Sequence, residues 1–213
     1  MSTSTAHCGS ACPGLSDPAY ALDLLYPEGP VALRDFFYSQ NMEEMRAAGL
    51  RLAVLFHFLP AAVPVVQLAD AQWPEVEYDF NRFFVGPGSV VAPPYASVYL
   101  EPEVRLMGAS TMHFRKFLQE MHTAVPGDGS LPDDFLPFEL DAWVMACDKY
   151  STAEASAVKT LDEACRWLLH DHMGAWIPPF IHRALQGGDM HPALALALAA
   201  LQFWLEETMA LTR

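Results

Sequence analysis

The segment FNRFFVGPGSVVAPPYASVYLEPE, residues 80–103, decides how this chain is organised. It is apolar and aromatic, but Gly86-Pro87-Gly88 and Pro93-Pro94 interrupt it. Proline fixes φ and lacks a backbone N–H, and glycine adopts backbone angles that other residues avoid, so this segment is neither a helix interior nor a central strand. Ordinary loops are polar and lie on the surface. An apolar loop held by prolines therefore either fills the core or presents a prearranged apolar surface to a partner.

Segments on both sides of this loop carry apolar residues at three- and four-residue spacing, which is typical of helices. Asn41 is a good N-cap for the helix that ends before Pro60. No segment alternates with period two for long enough to form a sheet. We therefore predict a single-domain, compact all-α bundle of about nine to eleven helices at residues 17–213, after a flexible polar leader at residues 1–16. Other predicted helix boundaries are starts at Ser110, Asp133-Asp134 and Ser151-Thr152, and an end at Gly174.

The charge of the chain limits the partners that it can have. Its 26 acidic and 12 basic residues leave a formal net charge of −14. Such a charge repels nucleic acid and anionic membranes and attracts cationic partners. It also keeps an apolar-rich protein soluble, which is the simpler explanation. We predict no nucleic-acid partner.

Three features bear on the cellular location. The longest apolar stretch, Pro192–Leu205, has fourteen residues, fewer than the ~20 that span a bilayer. Residues 1–17 contain no Lys, no Arg and no apolar run, so they do not form a signal peptide. The four cysteines have no spacing typical of a disulfide framework. We predict a cytoplasmic protein with no stable membrane insertion.

Catalytic and metal-binding motifs are hard to find in this chain. His170 and His172 are two residues apart, so on a helix they point about 200° apart and do not converge on one metal ion. A helix C-terminus is the better explanation for these histidines. Asp133 and Asp134 could form an acid/base pair, although helix capping explains them better. We predict no catalytic residue, metal or cofactor, and keep a small helical metal-dependent hydrolase as an alternative.

Several motifs together resemble one protein family over residues 78–185. The apolar loop resembles the signature of the TorD/DmsD family of redox-enzyme maturation chaperones, and the other matching motifs follow in the family's order. The matching segments are Phe83–Gly88, Ala92–Leu100, Val104–Gly108, Leu131–Phe135 and His172–Phe180.

This resemblance implies an all-helical cytoplasmic chaperone that is not an enzyme. Members of the family bind the twin-arginine signal peptide, and often the body, of an apo-molybdoenzyme until its molybdenum cofactor is installed and export is permitted. A related alternative is an assembly subunit of a nitrate-reductase-type complex. The family also permits a monomer or a domain-swapped dimer, for which the loop Val125–Ser130 is a plausible hinge.

The resemblance also implies a binding site. A twin-arginine signal has a basic head and an apolar core, so its receptor needs an acidic rim beside an apolar groove. The polar part of the family's site corresponds to Asp134, helped by Asp133, which we expect to attract an arginine. Phe83 and Phe84 face about 100° apart on a helix, so at least one of them belongs to the core. The apolar part corresponds to Phe80, Phe83, Phe84, Pro94 and Tyr95, and the residues that shape the loop are Gly86, Pro87, Gly88 and Pro93.

The chain departs from the family pattern in one motif. Leu131 stands where the family has Glu, and Phe135 stands where it has His. The loss of these two polar groups makes a pH-sensitive role for the motif doubtful, because histidine is the side chain that titrates near neutral pH. We hypothesise that the two replacements alter the client specificity.

Overall fold

The computed structural model describes residues 24–101, 107–126 and 129–212. Within these ranges the chain contains no strand, and only an isolated bridge joins Tyr95 and Phe135. The predicted all-α fold is confirmed, and the α-helical segments of the described ranges fall within the predicted number. The predicted leader at residues 1–16 lies outside the described residues.

Ten α-helical segments follow one another within the described residues, and two of them continue directly into π-helical turns. The first π-helical turn, Asn81–Val85, extends α4, and the second, Trp167–Met173, joins α8 to α9. A short 3₁₀ turn, Asp70–Gln72, precedes α4. The segments are α1 (Glu28–Phe37), α2 (Met42–Leu55), α3 (Ala62–Val66), α4 (Trp73–Phe80), α5 (Ser97–Leu100), α6 (Ala109–Glu120), α7 (Leu136–Ser151), α8 (Ala155–Arg166), α9 (Gly174–Leu185) and α10 (Pro192–Leu211).

The predicted cap of α2 is confirmed. The Asn41 side chain accepts a hydrogen bond from the backbone N–H of Glu44 at 3.0 Å. Glu44 in turn accepts a hydrogen bond from the backbone N–H of Gln40 at 2.8 Å. These two bonds use backbone donors that a helix start leaves without partners. They fix the direction in which the chain leaves α1.

Other predicted helix starts are wrong. Ser110 lies inside α6, whose N-cap is Gly108, and Ser110 donates its hydroxyl to Glu101 at 2.9 Å. Asp133 and Asp134 do not cap α7, whose N-cap is Phe135 and has no side-chain cap. Ser151 ends α7 instead of starting α8, and its hydroxyl donates back to the carbonyl of Asp148. Short polar side chains suit both ends of a helix, so sequence alone did not distinguish a start from an end.

The predicted helix end at Gly174 is also wrong. The chain continues from the π-helical turn Trp167–Met173 into α9 without a break, and Pro178 and Pro179 lie inside α9. Both prolines lie beyond the first turn of α9, where proline lacks the N–H of a helical hydrogen bond. The π-helical turn before α9 already departs from the α-helical hydrogen-bond pattern. As a result, the two histidines of the turn do not lie at a helix C-terminus.

The last helix, α10, forms the centre of the bundle. It packs against α1, α2, α3, α4 and α9. By length and composition it could cross a membrane, since it has 20 residues and a mean hydropathy of 1.4. The helix is longer than the predicted apolar stretch, and half of its apolar window is buried inside the fold. The first half of the helix is apolar on all sides because it lies in the core, whereas the second half exposes Gln202, Glu206 and Glu207.

An aromatic cluster connects α1 to α4 and α9. Phe37 lies 5.5 Å from Phe84 and 6.1 Å from Phe180 between ring centroids. Phe80 lies 5.4 Å from Phe84 and 5.9 Å from Phe36. Aromatic pairs at these separations each add about 0.5–1.5 kcal/mol beyond the burial of their area. The cluster fixes α4 and its π-helical turn on the core, and this position determines where the apolar loop begins.

Candidate functional site

A groove of about 670 Å³ lies beside the apolar loop. Its walls are the end of α1, the start of α2, α4 with its π-helical turn, the loop itself and the segment before α7. A groove of this volume falls in the range of sites for small molecules or short peptide segments. The lining residues are Phe37, Tyr38, Ser39, Gln40, Asn41, Met45, Glu77, Phe80, Asn81, Phe84, Val85, Val90, Pro93, Pro94, Tyr95, Val98, Leu131 and Phe135.

The first half of the loop is held by backbone geometry. The N–H of Gly86 donates to the carbonyl of Asn81 at 2.7 Å, which closes the π-helical turn. Gly86 has φ +111° and ψ −170°, a conformation that is accessible essentially only to glycine. The N–H of Ala92 then returns to the carbonyl of Phe83 at 2.8 Å. These contacts support the predicted loop-shaping role of Gly86 between α4 and Pro93.

The loop also packs closely on the end of α9. A Cβ atom added at Gly187 would lie 2.4 Å from Cγ1 of Val91 and 2.8 Å from Cε1 of Phe83. Contacts below 3.0 Å between carbon atoms do not occur without displacement of one partner. Gly187 therefore allows the loop to lie directly against the helix.

The second half of the loop is joined to the segment before α7. The N–H of Ala96 donates to the carbonyl of Asp134, and the N–H of Leu136 donates to the carbonyl of Pro94, both at 3.0 Å. The side chain of Asp134 accepts the N–H of Ser97 at 2.6 Å. Asp134 therefore caps α5 across 37 residues of sequence instead of the adjacent α7. These bonds bring the two segments of the family motif together beside the groove.

Most of the predicted apolar site residues line this groove, together with Pro93. They are Phe80, Phe84, Pro94 and Tyr95. Phe83 is fully buried below the loop, and the guanidinium of Arg82 lies 4.3 Å from its ring centroid. At least one of Phe83 and Phe84 was expected in the core, and Phe83 lies there without lining the groove.

The two predicted acidic residues lie close to the groove but do not line it. Asp134 is fully buried, and its Oδ1 atom finds no hydrogen-bond donor among the described residues. Asp133 is 8% exposed, and one of its carboxylate oxygens accepts the Nε–H of Arg115 at 2.5 Å. The charge of Asp133 is thus already paired within the chain.

Part of the groove wall was not predicted as a site. Tyr38 is 37% exposed at the end of α1, and its ring centroid lies 6.2 Å from that of Phe135. Phe135 stacks on Tyr95 at 5.1 Å between centroids. Phe135 and Leu131 were identified from the sequence as departures from the family motif, and both line the groove. Tyr38 carried no such signal, because only the packing of α1 places it there.

A buried polar cluster lies behind the start of α7. Glu139 is fully buried and its Oε1 atom lies 2.7 Å from Nε2 of His172. The indole N–H of Trp176 donates to Oε2 of Glu139 at 2.8 Å. The His172 ring also stacks on Phe114 and on Trp167, with centroids 5.6 Å and 5.2 Å away. Both carboxylate oxygens of Glu139 therefore have partners inside the core.

The pKa values of Glu139 and His172 in this cluster are both raised. Burial raises the pKa of Glu139, and the nearby His172 and the Trp176 N–H oppose that shift only in part. Burial alone lowers the pKa of His172, but the carboxylates of Glu139 and Asp134 outweigh it, so the pKa of His172 is raised. Both groups therefore hold a proton to a higher pH than they do in an unfolded chain.

The cluster corrects the interpretation of the two histidines. His172 bonds to Glu139 in the core, and His170 lies 3.0 Å from the hydroxyl of Thr212. Neither of them caps a helix C-terminus. Among the residues that the structure describes, no group of three His, Cys, Asp or Glu side chains could hold a metal ion.

Known proteins resemble the chain across this whole region. A family model described as nitrate reductase delta subunit matches residues 40–182. The matched span contains Glu139, His172, Trp176 and all of the groove residues except those at the end of α1 and Ser39.

Two curated proteins have similar sequences. The chain is 27% identical over 128 residues to the protein of Haemophilus influenzae described as "Probable Tat proofreading chaperone DmsD", and the alignment covers 59% of this chain and 58% of that protein. It is 27% identical over 165 residues to the chaperone protein TorD of a Psychrobacter species, with 76% of this chain and 67% of that protein covered. The chain thus spans well under two thirds of the Haemophilus protein.

A solved structure has the same fold. It is that of a protein from Archaeoglobus fulgidus described as a redox enzyme maturation protein, with a TM-score of 0.56. The superposition covers 84% of this chain and 93% of the other, at 16% sequence identity. At this identity the likeness supports the fold alone.

Proposed function

The chain belongs to the nitrate reductase delta subunit family, in which its relatives are the TorD and DmsD chaperones, and we propose that its groove binds the twin-arginine signal peptide of an apo-molybdoenzyme. The chaperone holds the signal peptide, and often also the body, of that client until the client has received its molybdenum cofactor and is exported. The chaperone itself needs no cofactor and no catalytic residue for this task. It acts in the cytoplasm, where the signal peptide is made.

The chemistry of the groove is the observation that supports this proposal. A twin-arginine signal combines a basic head with an apolar core. The groove offers four of the predicted apolar residues, Phe80, Phe84, Pro94 and Tyr95, on a chain with a net charge of −14. A rigid apolar surface reduces the entropy that is lost when a flexible peptide is ordered on it. Opposite overall charges also increase the rate at which a cationic peptide arrives.

Asp133 and Asp134 take part in this proposal through the position of the loop. The carboxylate of Asp134 holds the N-terminus of α5, and its backbone carbonyl holds Ala96. Asp133 holds Arg115 of α6. Asp134 adds negative potential close to the groove, whereas the charge of Asp133 is paired with Arg115, and neither acid lines the groove.

The proposal is tested by the binding of fluorescently labelled twin-arginine signal peptides to the purified full chain. Each peptide is compared with a Lys-Lys variant and with a variant whose apolar core is polar. We expect saturable binding that weakens in both variants. Tyr95→Ala should weaken binding about tenfold or more, because truncation of a central aromatic residue at an interface commonly costs over 1 kcal/mol.

Tyr78→Ala is the matched control for Tyr95→Ala. Tyr78 is 70% exposed on α4 and does not line the groove. Its truncation should leave the affinity unchanged. Absence of binding across a panel that includes the host's own twin-arginine signals would refute the proposal. Equal losses for the two tyrosine variants would show that the peptide binds outside the groove.

The description of the family supports a second candidate function. An assembly subunit of a nitrate-reductase-type complex would use the same fold and would stay bound to the mature enzyme. Affinity purification of the tagged chain from its host distinguishes the two functions. Recovery in a permanent complex with a mature reductase would favour the assembly subunit, and transient recovery with the apo-enzyme would favour the chaperone. Light scattering on the purified chain decides between a monomer and the domain-swapped dimer.

A further inference from the structure

Among the described residues, one carboxylate in the groove has no bonding partner. Glu77 of α4 is half-buried and is the only charged side chain among the described residues that line the groove. Within the described part of the chain, its carboxylate makes no hydrogen bond or ion pair. A half-buried carboxylate beside apolar surface gains from a cationic partner, because hydrogen bonds to charged groups are stronger there than in water.

The other acids near the groove are already bound. Glu44 holds Gln40 and Asn41 at the start of α2. Asp79 pairs with Arg82 and accepts the N–H of His191 at 2.9 Å. Asp133 and Asp134 hold Arg115 and Ser97. At Glu44, Asp79 and Asp133 a new cation would have to break existing bonds. Asp134 has one carboxylate oxygen without a donor among the described residues, but this side chain is fully buried. Glu77 is partly exposed, and a cation would break no bond there.

The position of Glu77 on α4 sets its distance from the apolar residue Phe84. Glu77, Phe80, Asn81 and Phe84 lie at three- and four-residue spacing, so they share the face that lines the groove. Seven residues separate Glu77 from Phe84, which corresponds to about 10 Å along a helix. An extended peptide covers about 10 Å with three residues. A cationic residue about three positions from an apolar segment can therefore reach Glu77 while that segment contacts Phe84 and the loop.

We propose that Glu77 determines specificity in this groove by binding the guanidinium of one arginine in the basic head of the signal. The inference rests on the proposed function and deepens it, since it orients the peptide. The basic head lies at the α2 and α4 end, beside Asn41 and Asn81, and the apolar core runs towards Phe84, Pro94 and Tyr95. Glu77 thereby takes the role that the sequence predicted for Asp134.

A double-mutant cycle tests this contact. The full chain and its Glu77→Gln variant are each titrated with a labelled twin-arginine peptide and with the same peptide carrying Gln-Gln in place of Arg-Arg. We expect Glu77→Gln to weaken binding of the Arg-Arg peptide about fivefold. The Gln-Gln peptide should bind both proteins equally. The effect should shrink as salt is raised, because exposed charge pairs are screened.

Glu75→Gln is the matched control because it removes the same charge from the same helix. Glu75 is exposed and does not line the groove. We expect a change of less than about twofold, as for an exposed charge that makes no direct contact. An equal effect of the two substitutions on both peptides would show that only the overall charge matters, and would overturn the inference.

The outcomes separate this inference from the proposed function. If the unmodified chain binds no signal peptide, the proposed function fails. If it binds, and Tyr95→Ala weakens binding while Glu77→Gln does not, the function stands and the inference is overturned. The inference would also be overturned if Asp134→Asn, and not Glu77→Gln, weakened binding of the Arg-Arg peptide but not of the Gln-Gln peptide. The Glu77 cycle decides the question even if Asp134→Asn does not fold.

Discussion

Two regions meet at the start of α7, the groove wall around Phe135 and the buried cluster around Glu139. The groove wall consists of apolar side chains on a loop whose backbone is set by Gly86 and prolines. The buried cluster consists of polar groups that lie 33 and 37 residues apart and satisfy one another in the core. The comparison indicates that the surface for a partner needs both the local geometry of the loop and its bonds to the segment before α7, whereas the support behind that surface depends on distant polar contacts alone.

The largest effect should come from the buried cluster. Glu139→Ala leaves the N–H of Trp176 and the His172 ring without their acceptor in the core. Loss of one partner of a buried charged pair costs about 3–5 kcal/mol. We expect a decrease of about 3 kcal/mol in the free energy of unfolding, measured by chemical denaturation.

The control for this prediction is Glu139→Gln, which keeps an acceptor for Trp176 and should cost less. A Glu139→Ala variant within 1 kcal/mol of the unmodified chain would contradict the assigned role of the cluster. Affinity for a signal peptide under conditions where the variant is folded should change little, because Glu139 does not line the groove.

The next effect should come from the backbone of the loop. Gly86→Ala places a Cβ on a residue with φ +111° and ψ −170°, which costs about 1–3 kcal/mol. We expect a decrease of about 2 kcal/mol in the free energy of unfolding and weaker peptide binding, because the loop must move. Ser89→Ala in the same loop is the control, since Ser89 is exposed. Equal stability of the two variants would refute a strained loop.

A smaller effect is expected when Phe135 is changed to His, the residue that the family has at this position. Phe135→His keeps a ring beside Tyr95, at present 5.1 Å away, but introduces polar atoms into an apolar wall. We expect stability to change little and the affinities for different signal peptides to change unequally, by about threefold, as for a lost aromatic contact of ~0.5–1 kcal/mol. Unchanged affinity for every candidate signal, measured by fluorescence titration, would count against altered client specificity.

The mildest perturbation is a change of pH, since no atom is removed. The raised pKa of His172 means that the folded state binds a proton more tightly than the unfolded state does. Its stabilising contribution is complete below about pH 6.5, the pKa in an unfolded chain, and is lost as the pH rises through the folded pKa. The pKa of Glu139 is also raised in the folded state. Its contribution to stability is therefore also lost with rising pH, beginning at the lower pKa of an unfolded glutamate. We therefore expect stability to fall as the pH rises above neutrality.

The measurement compares denaturation curves of the unmodified chain and His172→Gln from pH 6 to pH 9. The difference in the free energy of unfolding between them should decrease with rising pH. A difference that is constant, or that grows with pH, would show that the pair does not hold a proton in this range.

The sequence was a good guide where the signal is local. The spacing of apolar residues predicted the all-α fold, and Asn41 predicted the start of α2, because both depend on residues within one or two turns. The Pro- and Gly-rich loop was recognised for the same reason. Polar side chains near helix ends were poorer guides, as Ser110 and Ser151 show. The Ser151 hydroxyl bonds back to the preceding turn, and the Ser110 hydroxyl bonds to the more distant Glu101, so neither caps a helix start.

The sequence by itself therefore determined the helical bundle, the rigid loop and the resemblance to the maturation chaperones. Only the tertiary structure decided which side chains face the groove, because burial depends on the packing of α1, α2, α4 and α7 against one another. It turned Phe83 and Asp134 away from the groove and placed Tyr38 and Glu77 in it. It also paired Glu139 with His172, since contacts between residues 33 apart depend on how whole helices pack and not on local spacing.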